Sequence, residues 1–387
     1  MAVTIPLKDL STMDITDGTH KTPTYVEEGY IFLSSKNVTS GVIDWDNVMY
    51  IPASLHDELY KRIAPQKNDI LLAKNGTTGV AAIVDRDEVF DIYVSLALIR
   101  PDETKVLPRY LLHAINSYPT KQFFDSHLKG IGVPNLHLTH IRETPIRVPS
   151  FTEQKQITDV LDKVDELIAL RKEQLTKLDQ LIKSRFVGLF GDTVLNPFGW
   201  EKDTLGKVCD VRDGTHDSPR YYEAGYPLVT SKNVTGGKID LTDCSLISEA
   251  DFKKINARSK VDIGDILMPM IGTVGKPVIV DIEPNFAIKN VALIKFRANS
   301  KVLNIYIRAL LQSDYFDDAV LSKVRGGTQK FISLSDIRKL EILVPPLNVQ
   351  VQFAVFVEQT DKSKVAIQQS LNKLELLKKS LMQQYFG

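Results

Sequence analysis

Cysteine is nearly absent from this chain: its 387 residues include only Cys209 and Cys244, which stand 35 positions apart. Two thiols at that spacing predict neither a disulfide framework nor a metal-ligand cluster, so we expect no metal and no cofactor. Long apolar runs are also missing, since no stretch approaches the roughly 18 residues that cross a bilayer. The start, Met1 to Asp9, lacks the charged head and apolar run of a signal peptide. These absences predict a cytoplasmic protein without membrane contact.

Net charge is absent as well, because 48 Lys and Arg residues balance 48 Asp and Glu residues. A chain without an overall positive field does not bind nucleic acid through bulk charge, although a local basic surface is compatible with this composition. The 43% hydrophobic and 25% charged residues are typical of a folded protein. A chain of this length is expected to form two or more domains.

The sequence contains a long internal repeat. Residues 14–44 read DITDGTHKTPTYVEEGYIFLSSKNVTSGVID and residues 210–240 read DVRDGTHDSPRYYEAGYPLVTSKNVTGGKID, with 18 identities in 31 positions at an offset of 196. The same offset relates Asp69-Ile70-Leu71 to Asp265-Ile266-Leu267, and Phe190-Gly191 to Phe386-Gly387. This period is far longer than that of a solenoid and predicts the tandem duplication of a whole domain.

Each copy has the same two-part layout. Its first ~150 residues mix short apolar runs, such as Tyr30-Ile31-Phe32-Leu33, with Gly, Asn and Asp punctuation and short helical stretches such as the one starting at Pro108. This mixture predicts an α+β fold. We expect a first head at 1–150, a central helical region at 151–191, a second head at 192–346 and a C-terminal helical region at 347–387.

The helical regions carry a heptad pattern. Ser150 followed by Glu153 is a capping-box signal for a helix start, and a helix of ~37 residues would extend about 55 Å. Apolar residues recur at heptad spacing, which predicts a coiled-coil seam interrupted at Arg171 and Arg185. The seam positions are Ile157, Leu161, Val164, Ile168, Leu175, Leu178, Ile182 and Leu189 in the first copy, and Phe353, Val357, Ile367, Leu371, Leu374, Leu381 and Tyr385 in the second.

Charge favours an antiparallel pairing of these two helices. Residues 153–166 hold five acids against two bases, whereas Lys373, Lys378 and Lys379 lie near the end of the other helix. Only antiparallel pairing brings these opposite charges together. Two long antiparallel helices would relate the copies by a pseudo-two-fold axis and hold the heads at a fixed separation. The alternative is a pair of ordinary amphipathic surface helices.

The chain resembles the specificity subunits of type I restriction–modification systems. The resemblance rests on the D-G-T-H, G-Y and S-K-N-V-T-x-G-x-I signature at Asp17 to Ile43 and Asp213 to Ile239, on Gly327 to Leu347, and on the N-P-F-G-W run at Asn196 to Trp200. It implies two target-recognition domains, each reading half of a double-stranded DNA target. It also implies two methyltransferase subunits and two motor-nuclease subunits as partners, which carry the chemistry. Residues 127–142 match the second copy poorly.

Residues shared by the copies are candidates for sequence-neutral contacts with the DNA backbone. Thr19, His20, Thr215 and His216 lie in D-G-T-H turns, where the alternative is a turn with a self-capping Asp and a Gly at positive φ. Lys36, Asn37, Lys232 and Asn233 suit phosphate contact or a plain surface turn. In the first copy alone, Lys74 and Asn75 precede a glycine loop that would either touch DNA or simply connect two strands.

Positions that differ between the copies are candidates for reading bases, because half-sites normally differ. These candidates are Lys129, Asn135 and His137 in the first copy, and Arg325, Gln329, Lys330 and Phe331 in the second. Asn196-Pro197-Phe198 is similar to an adenine-methyltransferase motif, but the second proline and a cofactor loop are missing. We therefore predict a non-catalytic DNA-specificity subunit. A self-contained nuclease or methyltransferase and a protein-only coiled-coil scaffold are the alternatives.

Overall fold

The computed structural model describes residues 2–128, 134–271, 275–320, 322 and 331–387. The chain divides into two compact units, one formed by Met1–Lys172 with Gln369–Gly387 and the other by Glu173–Gln368. Each unit therefore combines a head with the start of one long helix and the end of the other. The two units are described separately.

The first unit contains short strands and helices in alternation. Its strands are β1 (Val3–Pro6), β2 (Thr16–Asp17), β3 (Tyr30–Leu33), β4 (Met49–Ile51), β5 (Ile70–Ala73), β6 (Ala81–Ile83), β7 (Phe90–Ile92), β8 (Leu96–Ile99) and β9 (Pro145–Val148). Its helices are α1 (Ala53–Arg62), α2 (Pro108–Ile115), α3 (Tyr118–Ser126), α4 (Leu138–Arg142) and the first part of α5 (Phe151–Phe190). The helix that the sequence predicts to start at Pro108 is confirmed.

The core of the first head is built around a sheet in the order β2-β8-β5-β6, beside a second sheet in the order β4-β3-β7 and the pair β1-β9. All four residues of β5 are buried. Ile70 and Leu72 pack into a core with α2, whereas Leu71 and Ala73 pack into a core with the second sheet. Because side chains alternate across a strand, an uninterrupted apolar run is required where both faces are covered.

The second unit repeats this arrangement. Its strands are β10 (Glu201–Thr204), β11 (Asp210–Asp213), β12 (Tyr226–Val229), β13 (Val234–Thr235), β14 (Lys238–Ile239), β15 (Ser245–Ile247), β16 (Ile266–Pro269), β17 (Val278–Ile279), β18 (Ala287–Ile288), β19 (Val291–Lys295) and β20 (Glu341–Val344). Its helices are α6 (Leu205–Val208), α7 (Glu249–Ser259), α8 (Asn304–Leu310), α9 (Asp314–Ala319), α10 (Leu334–Lys339) and the first part of α11 (Leu347–Phe386).

The two main sheets of the second head match those of the first strand for strand. Their orders are β11-β19-β16-β17 and β15-β12-β18, with β10-β20 closing the head. In both heads the middle strand of the second sheet pairs in parallel with its later neighbour, β3 with β7 and β12 with β18. The hairpin β13-β14 has no counterpart among the described strands of the first head. The predicted α+β class and domain duplication are thus present in the structure.

The two long helices begin and end at matching positions of the repeat. Both α5 and α11 have 40 residues, slightly more than predicted. The Ser150 hydroxyl donates to Glu153 at 2.7 Å and accepts from the Glu153 amide at 3.4 Å, which confirms the capping box. The predicted seam residues are buried or half-buried throughout. None of the described helices is long and apolar enough to cross a membrane.

Within each unit the two helical segments run in opposite directions. In the first unit Asp165 pairs with Lys378 at 2.5 Å, and Lys172 pairs with Glu375 at 3.8 Å. The paired position in α11 moves back from 378 to 375 as the paired position in α5 moves forward from 165 to 172, so the two segments are antiparallel. In the second unit Lys364 lies 2.5 Å from Asp179. The predicted contact between acids early in α5 and lysines late in α11 is therefore present.

A buried glutamine fastens the start of each long helix to its head. The Gln154 side-chain oxygen accepts from the Leu107 amide at 2.8 Å, and its amide donates to the Pro149 carbonyl at 3.0 Å. Gln350 makes the same two contacts in the second unit, with the Leu303 amide at 2.8 Å and the Pro345 carbonyl at 2.7 Å. Since a buried amide is costly unless paired, this contact fixes the helix against the head.

Candidate nucleic-acid interface

The D-G-T-H turn of the first head is held by a buried ion pair. The Asp17 carboxylate lies 3.1 Å from the Lys74 ammonium, and both side chains are more than nine-tenths buried. The other Asp17 oxygen lies 3.3 Å from Nε2 of His20, whose side chain is 70% exposed. Arg62 donates to the carbonyls of Asp17 and Gly18. The turn therefore presents the His20 ring to solvent on a rigid base.

The same turn in the second head is held by different charges. Met270 takes the place of Lys74, and Arg258 instead pairs with the Asp213 carboxylate at 2.6 Å. His216 lies 2.8 Å from Asp213 and 2.8 Å from the side-chain oxygen of Asn290. Hydrogen bonds to Asn290 and Asp213 raise the pKa of His216, which favours its protonated form. An exposed ring with a raised pKa therefore lies at this turn.

The glycine of each turn is required by close packing rather than by positive φ. Neither Gly18 nor Gly214 has a positive φ, contrary to the predicted turn geometry. A Cβ on Gly18 would lie 1.9 Å from the Ile92 carbonyl oxygen, and one on Gly214 would lie 2.2 Å from that of Ile288. The expected self-capping by Asp is also replaced, because these carboxylates contact His and cationic side chains instead.

Several shared candidates are occupied within the fold. Thr19 is buried, and its hydroxyl accepts from the Lys21 amide at 3.2 Å. Thr215 is half-buried, and its hydroxyl accepts from the Asp217 amide at 3.1 Å. Asn37 is buried, accepting from the Ser34 amide at 2.9 Å and donating to the Asn47 carbonyl at 3.0 Å. These side chains shape their loops.

The matching asparagine in the second head has the same role, whereas the neighbouring lysines are free to meet a ligand. Asn233 is buried and accepts from the Thr230 amide at 3.0 Å. Lys36 and Lys232 are exposed on short 3-10 segments next to these asparagines. A cation held on a rigid turn suits contact with phosphate.

The glycine loop after Lys74 connects β5 to β6, as one of the two predicted alternatives requires. Gly76 and Gly79 both have φ of +76°. Asn75 forms an isolated antiparallel bridge with Asn135, which precedes α4, while His137 is exposed at the start of that helix. The structure thus brings Lys74, Asn75 and Asn135 to one corner of the first head. Lys129, Arg325, Gln329 and Lys330 lie outside the described residues.

Sequence reasoning missed the residues that brace these turns. Arg62 and Arg258 are equivalent at the repeat offset of 196, a signal that was available. Asn290, with φ of +55°, was not singled out because its contact with His216 spans 74 residues.

Buried His56 and Asp91, whose side chains lie 2.7 Å apart, occur only in the first head. Their equivalents in the second head are Phe252 and Ala287.

Neither a metal cluster nor an unpaired asparagine in the methyltransferase-like run is present among the described residues. No group of three or more His, Cys, Asp or Glu side chains there could hold a metal ion. The Asn196 side chain accepts from the Trp200 amide at 2.9 Å and donates to the Trp200 carbonyl at 2.9 Å. It therefore closes a turn.

Comparison with known proteins places this duplicated fold in a family. The family model described as type I restriction modification DNA specificity domain matches residues 4–180 and again 197–376. This chain therefore belongs to the type I restriction–modification DNA specificity family, which confirms the resemblance found in the sequence. Membership also supports the prediction of a non-catalytic recognition subunit over that of a self-contained enzyme.

Individual relatives agree with this assignment. The chain is 24% identical over 343 residues to the type I restriction enzyme MjaVIII specificity subunit of Methanocaldococcus jannaschii, covering 83% of this chain and 79% of that one. It is 21% identical to the EcoKI specificity subunit of Escherichia coli K12, covering 87% of this chain and 76% of that one.

Solved structures share the fold. The S subunit of a type I restriction–modification system from M. genitalium superposes with a TM-score of 0.57 at 15% identity, covering 99% of this chain and 95% of that one. A chain from a structure concerning complex assembly and conformational transition of the type I R-M system superposes with a TM-score of 0.54 at 18% identity. That match covers 100% of this chain and 97% of the other.

Proposed function

We propose that this chain reads a bipartite double-stranded DNA target, with one half-site for each head, and directs adenine methylation by partner subunits. The observation that carries this proposal is the repetition of one frame with different side chains at one corner. Both heads build the same sheets around the same His-bearing turn, yet Lys74, Asn75 and Asn135 become Met270, Ile271 and Phe331. A shared frame with copy-specific chemistry suits two half-sites of different sequence.

The exposed residues common to both heads would contact the DNA backbone. His20 and His216 project from the turns, and Lys36 and Lys232 are exposed on neighbouring segments. Donors of this kind position a protein on the duplex without reading sequence. The chain has no net charge, so we expect partner subunits to supply much of the remaining phosphate contact.

The long helices would act as the spacer between the half-sites. Within each unit they run antiparallel with ion pairs of 2.5 Å, and their apolar seam is buried or half-buried. We propose that α5 and α11 form one antiparallel coiled coil with a pseudo-two-fold axis. Such a rod would set the separation of the heads to the helical repeat of DNA, because both must face the same side of the duplex.

Partner subunits would carry the chemistry. We expect two methyltransferase subunits to dock on the helical regions and two motor-nuclease subunits to join them, in a cytoplasmic complex. Each methyltransferase would flip an adenine out of the half-site that its head has bound, since a base inside the stack is out of reach. This chain would contribute recognition and geometry alone.

The test is a map of methylated adenines. The chain is co-expressed with its methyltransferase subunit in cells that lack other adenine methylation, and their DNA is sequenced by a method that detects the modified base. We expect one split motif, two short defined halves around an undefined spacer. An assembled complex that methylates no defined motif would contradict the proposal and favour a protein-only scaffold.

Exchange of heads supplies the matched control. Replacing residues 1–150 with the equivalent head of another family member should change one half of the motif and preserve the other. Replacing residues 192–346 should do the reverse. If either exchange altered both halves, the heads would not read independently, and the proposed division of the target would be wrong.

A further inference from the structure

We propose that Asn75 and Asn135 read an adenine in the first half-site, and that Ile271 and Phe331 read a thymine in the second. This inference rests on the proposed function and names the base-reading residues within it. The four residues occupy one equivalent place in the two heads, where the end of the central strand meets the segment that precedes a short helix.

The backbone at this place is the same in both heads. Asn75 and Asn135 form an antiparallel bridge, and the Leu136 amide donates to the Lys74 carbonyl at 2.8 Å. Ile271 and Phe331 form the equivalent bridge, with the Ile332 amide donating to the Met270 carbonyl at 2.9 Å. The backbone therefore holds the two pairs of residues at equivalent places, and the pairs differ in side-chain chemistry.

The asparagine pair has unused hydrogen-bonding capacity. The side-chain oxygens of Asn75 and Asn135 are both shielded from water and have no hydrogen-bond partner among the described residues. Buried acceptors without a partner are rare in folded proteins and call for an explanation such as a missing ligand. Both residues are half-buried, and rotation of either side chain toward the DNA would let its amide accept from N6 and donate to N7 of adenine, the pairing that specifies this base in the major groove.

The second head offers the opposite chemistry at the same place. Phe331 is 47% exposed and Ile271 is half-buried beside it. Neither side chain can donate or accept a hydrogen bond, but an exposed apolar surface suits contact with the thymine methyl group.

The corner lies next to the turn that we assign to the DNA backbone. Lys74, the residue before Asn75, pairs with Asp17, which also contacts the exposed His20. In the second head the uncharged Met270 precedes Ile271, and Arg258 pairs with Asp213 in place of a lysine at that position. A sequence-neutral contact thus lies beside a position that differs between the copies, as half-site reading requires.

The test transplants one pair onto the other head. In the full chain with its methyltransferase, the double variant Asn75→Ile with Asn135→Phe should weaken preference for adenine at one position of the first half by on the order of tenfold or more. Preference at that position should move toward thymine, while the second half and the spacer stay unchanged. The reciprocal variant, Ile271→Asn with Phe331→Asn, should alter one position of the second half alone. Each variant is checked for assembly with the methyltransferase.

A matched control moves another copy-specific residue. Val89 is 46% exposed and corresponds to Asn285, so Val89→Asn introduces an amide elsewhere on the first head and should leave the motif unchanged. If the wild-type chain directs a split motif that both transplants leave intact, the base-reading assignment is wrong and the proposed function stands. If the wild-type chain directs no split motif, the proposed function itself fails. The reciprocal variant decides the matter if the first does not assemble.

Discussion

The joint between the first head and α5 depends on the ionised Asp162 side chain. Asp162 accepts from Arg109 at 2.7 and 2.9 Å and lies 2.7 Å from Nε2 of His113, both on α2. Burial alone would raise the pKa of Asp162, but the hydrogen bonds from His113 and Arg109 outweigh it and lower the pKa to about 2. The ionised form therefore stabilises the folded first unit.

The magnitude follows from this pKa. Lowering it from 3.8 to about 2 corresponds to roughly 2 kcal/mol at neutral pH, since one pKa unit is worth about 1.4 kcal/mol. The side chain is 31% exposed, so solvent screening reduces the expected value to about 1–2 kcal/mol. We predict that Asp162→Asn destabilises the first unit by this amount at pH 7.

The pH dependence has a definite sign. The folded-state pKa is depressed, so the stabilisation is fully present above the unfolded pKa of 3.8 and is lost as pH falls toward about 2. The difference between wild type and Asp162→Asn should therefore shrink below about pH 4. Hydrogen exchange of the α2 amides measures this difference in stability within the first unit. A local measurement is needed because a chain with two compact units need not unfold in one transition.

The repeat provides the control. Glu358 occupies the matching position in α11, where it pairs with the exposed Lys362 at 2.8 Å. Glu358→Gln should cause no measurable change in exchange. Equal losses in the two variants, or a loss in Asp162→Asn that persists at low pH, would refute the reasoning.

Three further predictions concern an aromatic contact in each unit, an ion pair between the long helices and an exposed histidine. Phe386→Ala should lower the free energy of unfolding by about 3–5 kcal/mol and raise hydrogen exchange in α2 of the first unit, because the Phe386 ring packs 5.6 Å from that of Tyr110. Phe190→Ala should instead raise hydrogen exchange in α8 of the second unit, because the Phe190 ring packs against Tyr306. The reverse pattern of exchange would contradict both assignments. Lys378→Glu should destabilise the first unit by about 0.5–1 kcal/mol, because it places a second carboxylate beside Asp165. Adding Asp165→Lys reverses the pair and should restore thermal stability; a double variant no more stable than Lys378→Glu would show that the ion pair does not contribute. DNA binding by the complex should weaken as pH rises through the raised pKa of His216, and His216→Gln should flatten the binding profile; an unchanged profile would exclude contact by this ring.

Much of the fold could be predicted because its signals are local or repeated. The Ser150–Glu153 capping box lies within four consecutive residues and set the start of α5 correctly. The apolar run at Tyr30 to Leu33 indicated a strand, and the structure has a strand at these bounds. The 196-residue offset predicted two matching heads, which the sheet orders bear out. In each case the signal comes from neighbouring residues or from comparison of the sequence with itself.

The candidate site was predicted less completely. The D-G-T-H turns were found, but the reason for their glycines was wrong, because the close approach of Ile92 to Gly18 joins residues 74 apart. Asn37 was grouped with the exposed Lys36, although its amide is buried against the Asn47 carbonyl. The sequence shows residue types on a loop, whereas burial of one side chain beside an exposed neighbour depends on how the loop folds back.

The sequence by itself determined the duplication, the two heads, the long capped helices and the charges that favour antiparallel pairing, since all of these depend on spacing and composition. Only the tertiary structure decided that Phe386, at the end of α11, packs against Tyr110 of the first head. It also decided that Lys74 is buried against Asp17 while Asn75, the next residue, meets Asn135. These outcomes depend on contacts between residues far apart in the chain, where packing and desolvation choose among side chains that local patterns cannot distinguish.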